Sequence, residues 1–125
     1  MLTDVADVLA SLIGIGIIFI GLREIFAPHA SADFGIPGTR TDDPNIQAWL
    51  SVKAGRDIAS GIFIFILLAG ATAHLFGWFM LAAAGIPIGD ALIVLRSKGP
   101  KVAAYGIHGA TAAVMLVISV LLLTS

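Results

Sequence analysis

The chain contains no cysteine, so disulfides and thiolate chemistry are excluded and no redox compartment can be read from it. It is also poor in charge: Asp, Glu, Lys and Arg make up 12% of its 125 residues, against roughly 25% in soluble domains. A water-soluble helical bundle needs a polar stripe on every helix. Seven basic and eight acidic side chains are too few to coat four such stripes. The net charge of −1 argues against nucleic acid as a partner. No HxxxH or ExxH pairing is present, so no metal site is expected, and nothing in the pattern calls for a cofactor. No glycine follows a strand pattern, which removes phosphate-binding loops. The N-terminus has Asp4 and Asp7 but no Lys or Arg before its first apolar run. That is not how a secretory signal peptide begins, and the first helix is expected to be retained.

What remains is apolar: 58% of the residues are hydrophobic, in runs of membrane-crossing length. Fifteen uncharged residues separate Asp7 from Arg23, and no charged residue falls between Asp57 and Asp90. One helix over that second run would reach about 48 Å, too long for a hydrocarbon core of roughly 30 Å. The small, polar stretch Gly70-Ala71-Thr72-Ala73-His74 is where it should fold back. The expected fold class is all-α: a single domain over residues 1–125, an antiparallel up-down four-helix transmembrane bundle. Its spans are expected near 5–26, 46–69, 75–95 and 102–123, with the lipid bilayer as first partner. Between the first two lies an irregular interfacial loop rich in proline and glycine, ending in Asp43-Pro44 as N-cap and first helical residue. With antiparallel spans, all seven Lys and Arg residues fall on one side. The positive-inside rule then makes that side cytoplasmic and puts both termini opposite.

Depth isolates a group of residues. With span centres near residues 15, 59, 85 and 113 and about 1.5 Å of rise per residue, Arg56 and Asp57 lie ~3–5 Å from the midplane. On the same scale Asp90 and His108 lie ~7–8 Å away, and Arg23 and Glu24 ~12–14 Å, all displaced toward the basic side. A charge at such depth is costly unless it faces the interior and is paired. Arg23, Lys53 and Arg56 nearly balance Glu24, Asp57 and Asp90. Trp49, Lys53, Arg56, Asp57 and Ser60 share an arc of about 100° on the second helix, and Tyr105 shares a face with His108 on the fourth. On the third, Pro87 frees the carbonyl of Ala83 one turn before Asp90. These features point to a pocket, polar at its cytoplasmic end and lined by Phe79, Ala83, Ile86 and Met115 deeper in.

Each of these residues also has a plainer reading. Arg56, Asp57 and Asp90 fit an ion network that only holds helices together. His108 fits a buried histidine hydrogen-bonded to a carbonyl, Arg23 and Glu24 fit a solvated pair near the interface, and Tyr105 fits an interfacial anchor. His74 and His29 are expected to take no part. The glycines are packing devices, because small residues let membrane helices approach closely.

A series of short motifs runs in order along nearly the whole chain: Gly21-Leu22-Arg23, Phe26-Ala27-Pro28, Phe34-Gly35-Ile36, Lys53-Ala54-Gly55-Arg56-Asp57 with Gly61, Pro87-Ile88-Gly89-Asp90, and His108-Gly109. In these the sequence resembles the small four-helix membrane proteins catalogued as domain-of-unknown-function family 4267, related to the DoxX-like superfamily. The resemblance implies a four-helix transmembrane fold and picks out Arg56, Asp57, Asp90 and His108. The wider superfamily resembles sterol-isomerase-type proteins and quinone-linked subunits at the level of fold alone.

Three functions compete. The first is a membrane-embedded site for a lipophilic small molecule, acting on it by proton-transfer isomerisation, epoxide opening or cyclisation. Asp57 and Asp90 would serve as acid and base, His108 as relay and Arg56 as electrostatic support. Glu24, Arg23, Lys53, Tyr105, Trp49 and Ser60 would contact the ligand. The second is a proton-coupled transporter, which with four helices would have to form a homo-oligomer. The third is an accessory or structural membrane subunit whose charges fix helix register.

Overall fold

A computed structural model describes all residues, Met1–Ser125, as helices and short connections with no strand. Helix α1 spans Leu2–Phe26 and stops against Pro28, whose ring cannot continue a helix. A short 3-10 helix, Pro28–Phe34, follows and ends at Gly35, which turns the chain with φ of 105°. Asp43 caps α2 (Pro44–Gly70), its carboxylate accepting from the Asn45 amide at 2.8 Å, with Pro44 as first helical residue. The chain folds back at Ala71-Thr72, and the Thr72 hydroxyl caps α3 (Ala73–Ala83) by accepting from the Leu75 amide.

The third expected span is two helices, α3 and α4 (Gly85–Arg96), meeting at Ala84. Pro87 has no amide to donate toward Ala83, and the α-helical ladder lapses there. Ala84 keeps right-handed helical angles, so the two pieces continue as one 24-residue stretch, Ala73–Arg96. The fourth span likewise has two parts: a π-helical segment, Val102–Gly109, runs into α5, Ala110–Leu123. Between them, Lys98 takes a left-handed turn with φ of 59° and the Gly99 amide donates to the Val94 carbonyl, which closes the end of α4.

Three stretches are long and apolar enough to cross a membrane: Leu2–Phe26, Ala73–Arg96 and Val102–Leu123. Their outer faces carry large exposed apolar side chains, among them Val8, Leu12, Phe19, Leu92 and Val120. Water would not tolerate so much contiguous apolar surface, whereas lipid requires it. Helix α2 has 27 residues and differs by carrying Lys53, Arg56 and Asp57 at and just before its middle.

Packing divides the molecule along its length. Helices α1 and α2 approach at two places seven residues apart: Gly14 against Gly61, and Gly21 against Ala54. A Cβ on Gly61 would stand 2.7 Å from the Gly14 carbonyl oxygen, and one on Gly21 would stand 2.8 Å from that of Ala54. This is the small-residue packing that membrane helices use for close contact. At the end bearing the termini, Ala6, Ala10, Ile64, Phe76, Met80, Met115, Ile118 and Leu122 form the apolar core. There the buried Ser119 hydroxyl donates to the Gly77 carbonyl at 2.9 Å, tying α5 to α3. At the other end α2 rests on α1 and the 3-10 helix, while α4 rests on the π-helical segment and α5. No extended contact joins α2 to α4, and this division separates Lys53 and Asp57 on α2 from Asp90 on α4.

Candidate functional site

The contact of Gly21 with Ala54 determines what meets at this end. Glu24 stands one turn beyond Gly21 on the same face of α1 and is carried onto α2 beside Ala54. Its neighbour there is Lys53. The Lys53 ammonium donates to Glu24 Oε1 and to Asp57 Oδ2, both at 2.7 Å. Glu24 is buried, with a side-chain exposure of 6%, while Lys53 and Asp57 remain partly open at 33% and 23%. Glu24 Oε2 is buried with no hydrogen-bond partner.

The 3-10 helix closes over this triad. Arg23, at the end of α1, pairs with Asp33 at 3.1 Å and holds the segment back against the helix. The Phe34 ring then lies under the Lys53 ammonium, 5.0 Å from nitrogen to ring centre. The Phe34 carbonyl accepts from His108 Nε2 at 2.8 Å, and the two rings pack with centres 4.3 Å apart and planes tilted by 50°. With a carbonyl as its partner, Nε2 carries the proton in neutral His108 and leaves Nδ1 as an acceptor. Gly35 is wedged between Ala103 and Val94, and Gly99 lies against the Gly35 carbonyl, so the loop is seated on the α4 turn. Ser31 is buried, and its hydroxyl also lacks a partner. It shares the face of Phe34, because residues three apart eclipse in a 3-10 helix.

Asp90 stands across the division on α4. It is half-buried, forms no side-chain ion pair or hydrogen bond, and lies within electrostatic reach of Lys53, Asp57 and His108. Three acidic side chains, Glu24, Asp57 and Asp90, therefore share this end of the molecule with the Lys53 ammonium and the His108 imidazole.

The expected site changes in composition. Glu24, Lys53, Asp57, Asp90 and His108 come together at this end of the molecule. Arg56 does not face inward and has no ion-pair partner; its side chain is exposed. Two residues beyond Ala54, it is turned about 200° from the face seated on α1. Residues adjacent in a helix do not face each other, so Arg56 does not pair with Asp57 either. Arg23 and Glu24 do not pair: each finds a partner elsewhere. Trp49 is 66% exposed and Ser60 binds its own helix, donating to the Arg56 carbonyl. Tyr105 is 61% exposed. A π turn holds more residues than an α turn, which rotates Tyr105 off the face of His108 that α-helical spacing had given it. With Arg23 and Arg56 removed from the layer, the near balance of charge expected from sequence becomes an excess of carboxylate.

Phe34 and Ser31 were missed. Phe34 acts through its backbone carbonyl and ring from an irregular segment, where no periodicity points to it. Glu24 had a legible signal in Gly14, Gly21 and Glu24, which lie on one face of α1 and mark the side that meets α2. Two concavities lie elsewhere. One is a shallow apolar surface of about 260 Å³ at Leu116, Val117, Val120 and Leu121. The other, of about 90 Å³, lies among Thr3, Asp7, Leu67, Leu68, Phe76 and neighbours. Neither touches the charged layer, and neither is the pocket expected beside Phe79, Ala83 and Ile86.

Lipid-length apolar helices around a buried ionic layer define an all-helical, multi-pass membrane protein. The chain belongs to the family described as Domain of unknown function (DUF4267), whose model matches residues 14–122. Comparison with curated proteins and with solved structures finds no match.

Proposed function

We propose that the chain is an antiparallel four-span bundle with its basic side cytoplasmic and both termini opposite, and that it binds a lipophilic small molecule at the charged layer. Helix α2 supplies the additional span: its 27 residues reach about 40 Å. Its charges are tolerated because Lys53 and Asp57 pair with each other, Glu24 supplies a third partner, and the long Arg56 side chain can reach toward the basic end. The absence of cysteine makes the topology easy to test. Single Ser97→Cys and Ser125→Cys variants, labelled in sealed right-side-out vesicles with a membrane-impermeant maleimide, should react only at Ser125→Cys. Reaction at Ser97→Cys instead would reverse the orientation, and equal protection or reaction would mean that the last span, Val102–Leu123, does not cross.

The observation that carries the binding reading is Asp90. A half-buried carboxylate without a partner, at the edge of a division between α2 and α4, is an acceptor available to a ligand arriving sideways from lipid. Asp90 and Asp57 are then the acid and base available to that ligand, with His108 positioned to relay a proton through Nδ1. Isomerisation, epoxide opening and cyclisation are the reactions that fit such a set. Native mass spectrometry of the purified protein should detect a co-purifying lipophilic molecule that is lost from Asp90→Asn. Full retention in Asp90→Asn, Asp57→Asn and His108→Ala, all folded, would sink this reading.

A second reading has its own support. Lys53 is satisfied on both sides by Glu24 and Asp57 without any ligand, as a charge layer that only fixes helix register would be. A protein that carries no ligand in the mass-spectrometric experiment would favour this accessory role. A proton-coupled carrier fits less well, because the opposite half is a close-packed apolar core with no polar path.

A further inference from the structure

The charge balance of the layer bears on which lipophile it takes. Glu24, Asp57 and Asp90 are three acidic side chains; Lys53, shared between Glu24 and Asp57, is the only Lys or Arg among them, and the His108 imidazole lies near Asp90. Arg23 is occupied by Asp33, and Arg56 points away. Glu24 Oε2 is buried, attached to the triad through its other oxygen, and receives no hydrogen bond. Asp90 receives none either. Excess negative charge in a medium of low dielectric is unfavourable unless it is neutralised, by protonation or by a positive charge that brings its own hydrogen-bond donors. The place already accommodates one such group, the Lys53 ammonium over the Phe34 ring at 5.0 Å.

Resting on the binding reading above, we propose that the ligand is a lipophilic amine, its protonated nitrogen held between Asp90 and Asp57 and its apolar tail in the lipid-facing division between α2 and α4. An ammonium supplies donors, which the unpartnered carboxylate oxygens lack, and no acceptor that would compete for Lys53. A carboxylate or phosphate head would add to the excess and is rejected. A neutral alcohol supplies one donor and leaves the charge uncompensated. The tail needs no enclosed cavity, because hydrocarbon already surrounds the helices at this depth. The 3-10 helix, fastened by Arg23–Asp33 and by His108 on Phe34, closes the site toward the basic side, so the ligand arrives laterally.

The test uses three probes with one tail: dodecylamine, dodecanol and dodecanoate, offered to the full chain in phosphatidylcholine nanodiscs, with empty nanodiscs subtracted. Saturable binding of dodecylamine is expected, about tenfold or more tighter than dodecanol, with none for dodecanoate. In Asp90→Asn the preference of amine over alcohol should fall by about tenfold. That variant removes no contact present in the fold, and unchanged helicity and elution volume will show it intact. Asp57→Asn provides a second variant and should weaken the amine in the same sense. If dodecanol binds saturably and as tightly as dodecylamine, the site takes a neutral lipophile and the proposal is overturned while the binding reading stands. If no probe binds saturably, both fall. Equal amine binding by wild type and both variants would place the cation elsewhere and also overturns it.

Discussion

Replacing Lys53 by Met should destabilise the folded protein toward the lower end of the roughly 3–5 kcal/mol that follows from removing one partner of a buried ion pair. The lower end applies because Lys53 is one-third exposed. Methionine approximates the aliphatic stem, so the loss is electrostatic rather than a matter of volume. Glu24, with a side-chain exposure of 6%, loses its sole hydrogen bond, and Asp57 loses its partner at 2.7 Å. The three acidic side chains then have no Lys or Arg among them. The change is measurable as a shift of the unfolding midpoint to lower sodium dodecyl sulphate mole fraction in mixed micelles, followed by far-ultraviolet circular dichroism. Adding Glu24→Gln to Lys53→Met should recover part of the loss, since it removes the most deeply buried charge. Glu24→Gln alone should cost less than Lys53→Met, because the Lys53–Asp57 pair survives it. A Lys53→Met protein as stable as wild type would mean that the layer is hydrated and that its pairs contribute little.

The reach of the sequence can be judged from the same residues. Helix content, the fold-back at Gly70–His74 and the cap at Asp43-Pro44 were legible, because they depend on hydrophobic run length, small residues and turn chemistry acting locally. The grouping of Asp57, Asp90 and His108 at one end of the molecule was legible too, from distance along each run alone. Partner choice was not. Depth places Arg56 beside Asp57, but helical rotation separates them, and it is Lys53, one turn away from Asp57, that faces it. Rotation about a helix axis is settled by the neighbour it packs on, and in an apolar helix of a membrane protein hydrophobic periodicity gives no such direction. The small residues hold that information instead: Gly14 and Gly21 on one helix, Ala54 and Gly61 on the next. The π-helical winding of Val102–Gly109 was invisible because hydrophobic run length does not distinguish π from α winding. That winding removed Tyr105 from the site.

If those small residues set the rotation, then Gly61→Leu should disturb more than its own surroundings. A Cβ at position 61 would collide with Ile18 Cγ1 and stand 2.7 Å from the Gly14 carbonyl oxygen. The side-chain contact can relax by a change of rotamer, but the carbonyl belongs to the α1 backbone and retreats only if the helix does. Overpacking of this kind costs typically about 1–3 kcal/mol, and the longer leucine side chain should bring the variant to the upper part of that range or beyond. The displacement also has a direction. Prising α1 from α2 at Gly14 leaves Gly21–Ala54 as the single close approach, and Glu24 lies one turn beyond it. Its 2.7 Å bond to Lys53 depends on that crossing, so Gly61→Leu and Lys53→Met should be less than additive when combined. Gly55 provides the control on the same helix. Nothing lies within 4 Å of a Cβ placed there, so Gly55→Ala should leave the detergent unfolding midpoint unchanged or raise it by the helix-propensity gain of about 1 kcal/mol. Equal destabilisation by Gly55→Ala and Gly61→Leu would show that glycine matters in α2 for backbone flexibility, and the α1–α2 crossing would lose its role in orienting Glu24 toward Lys53.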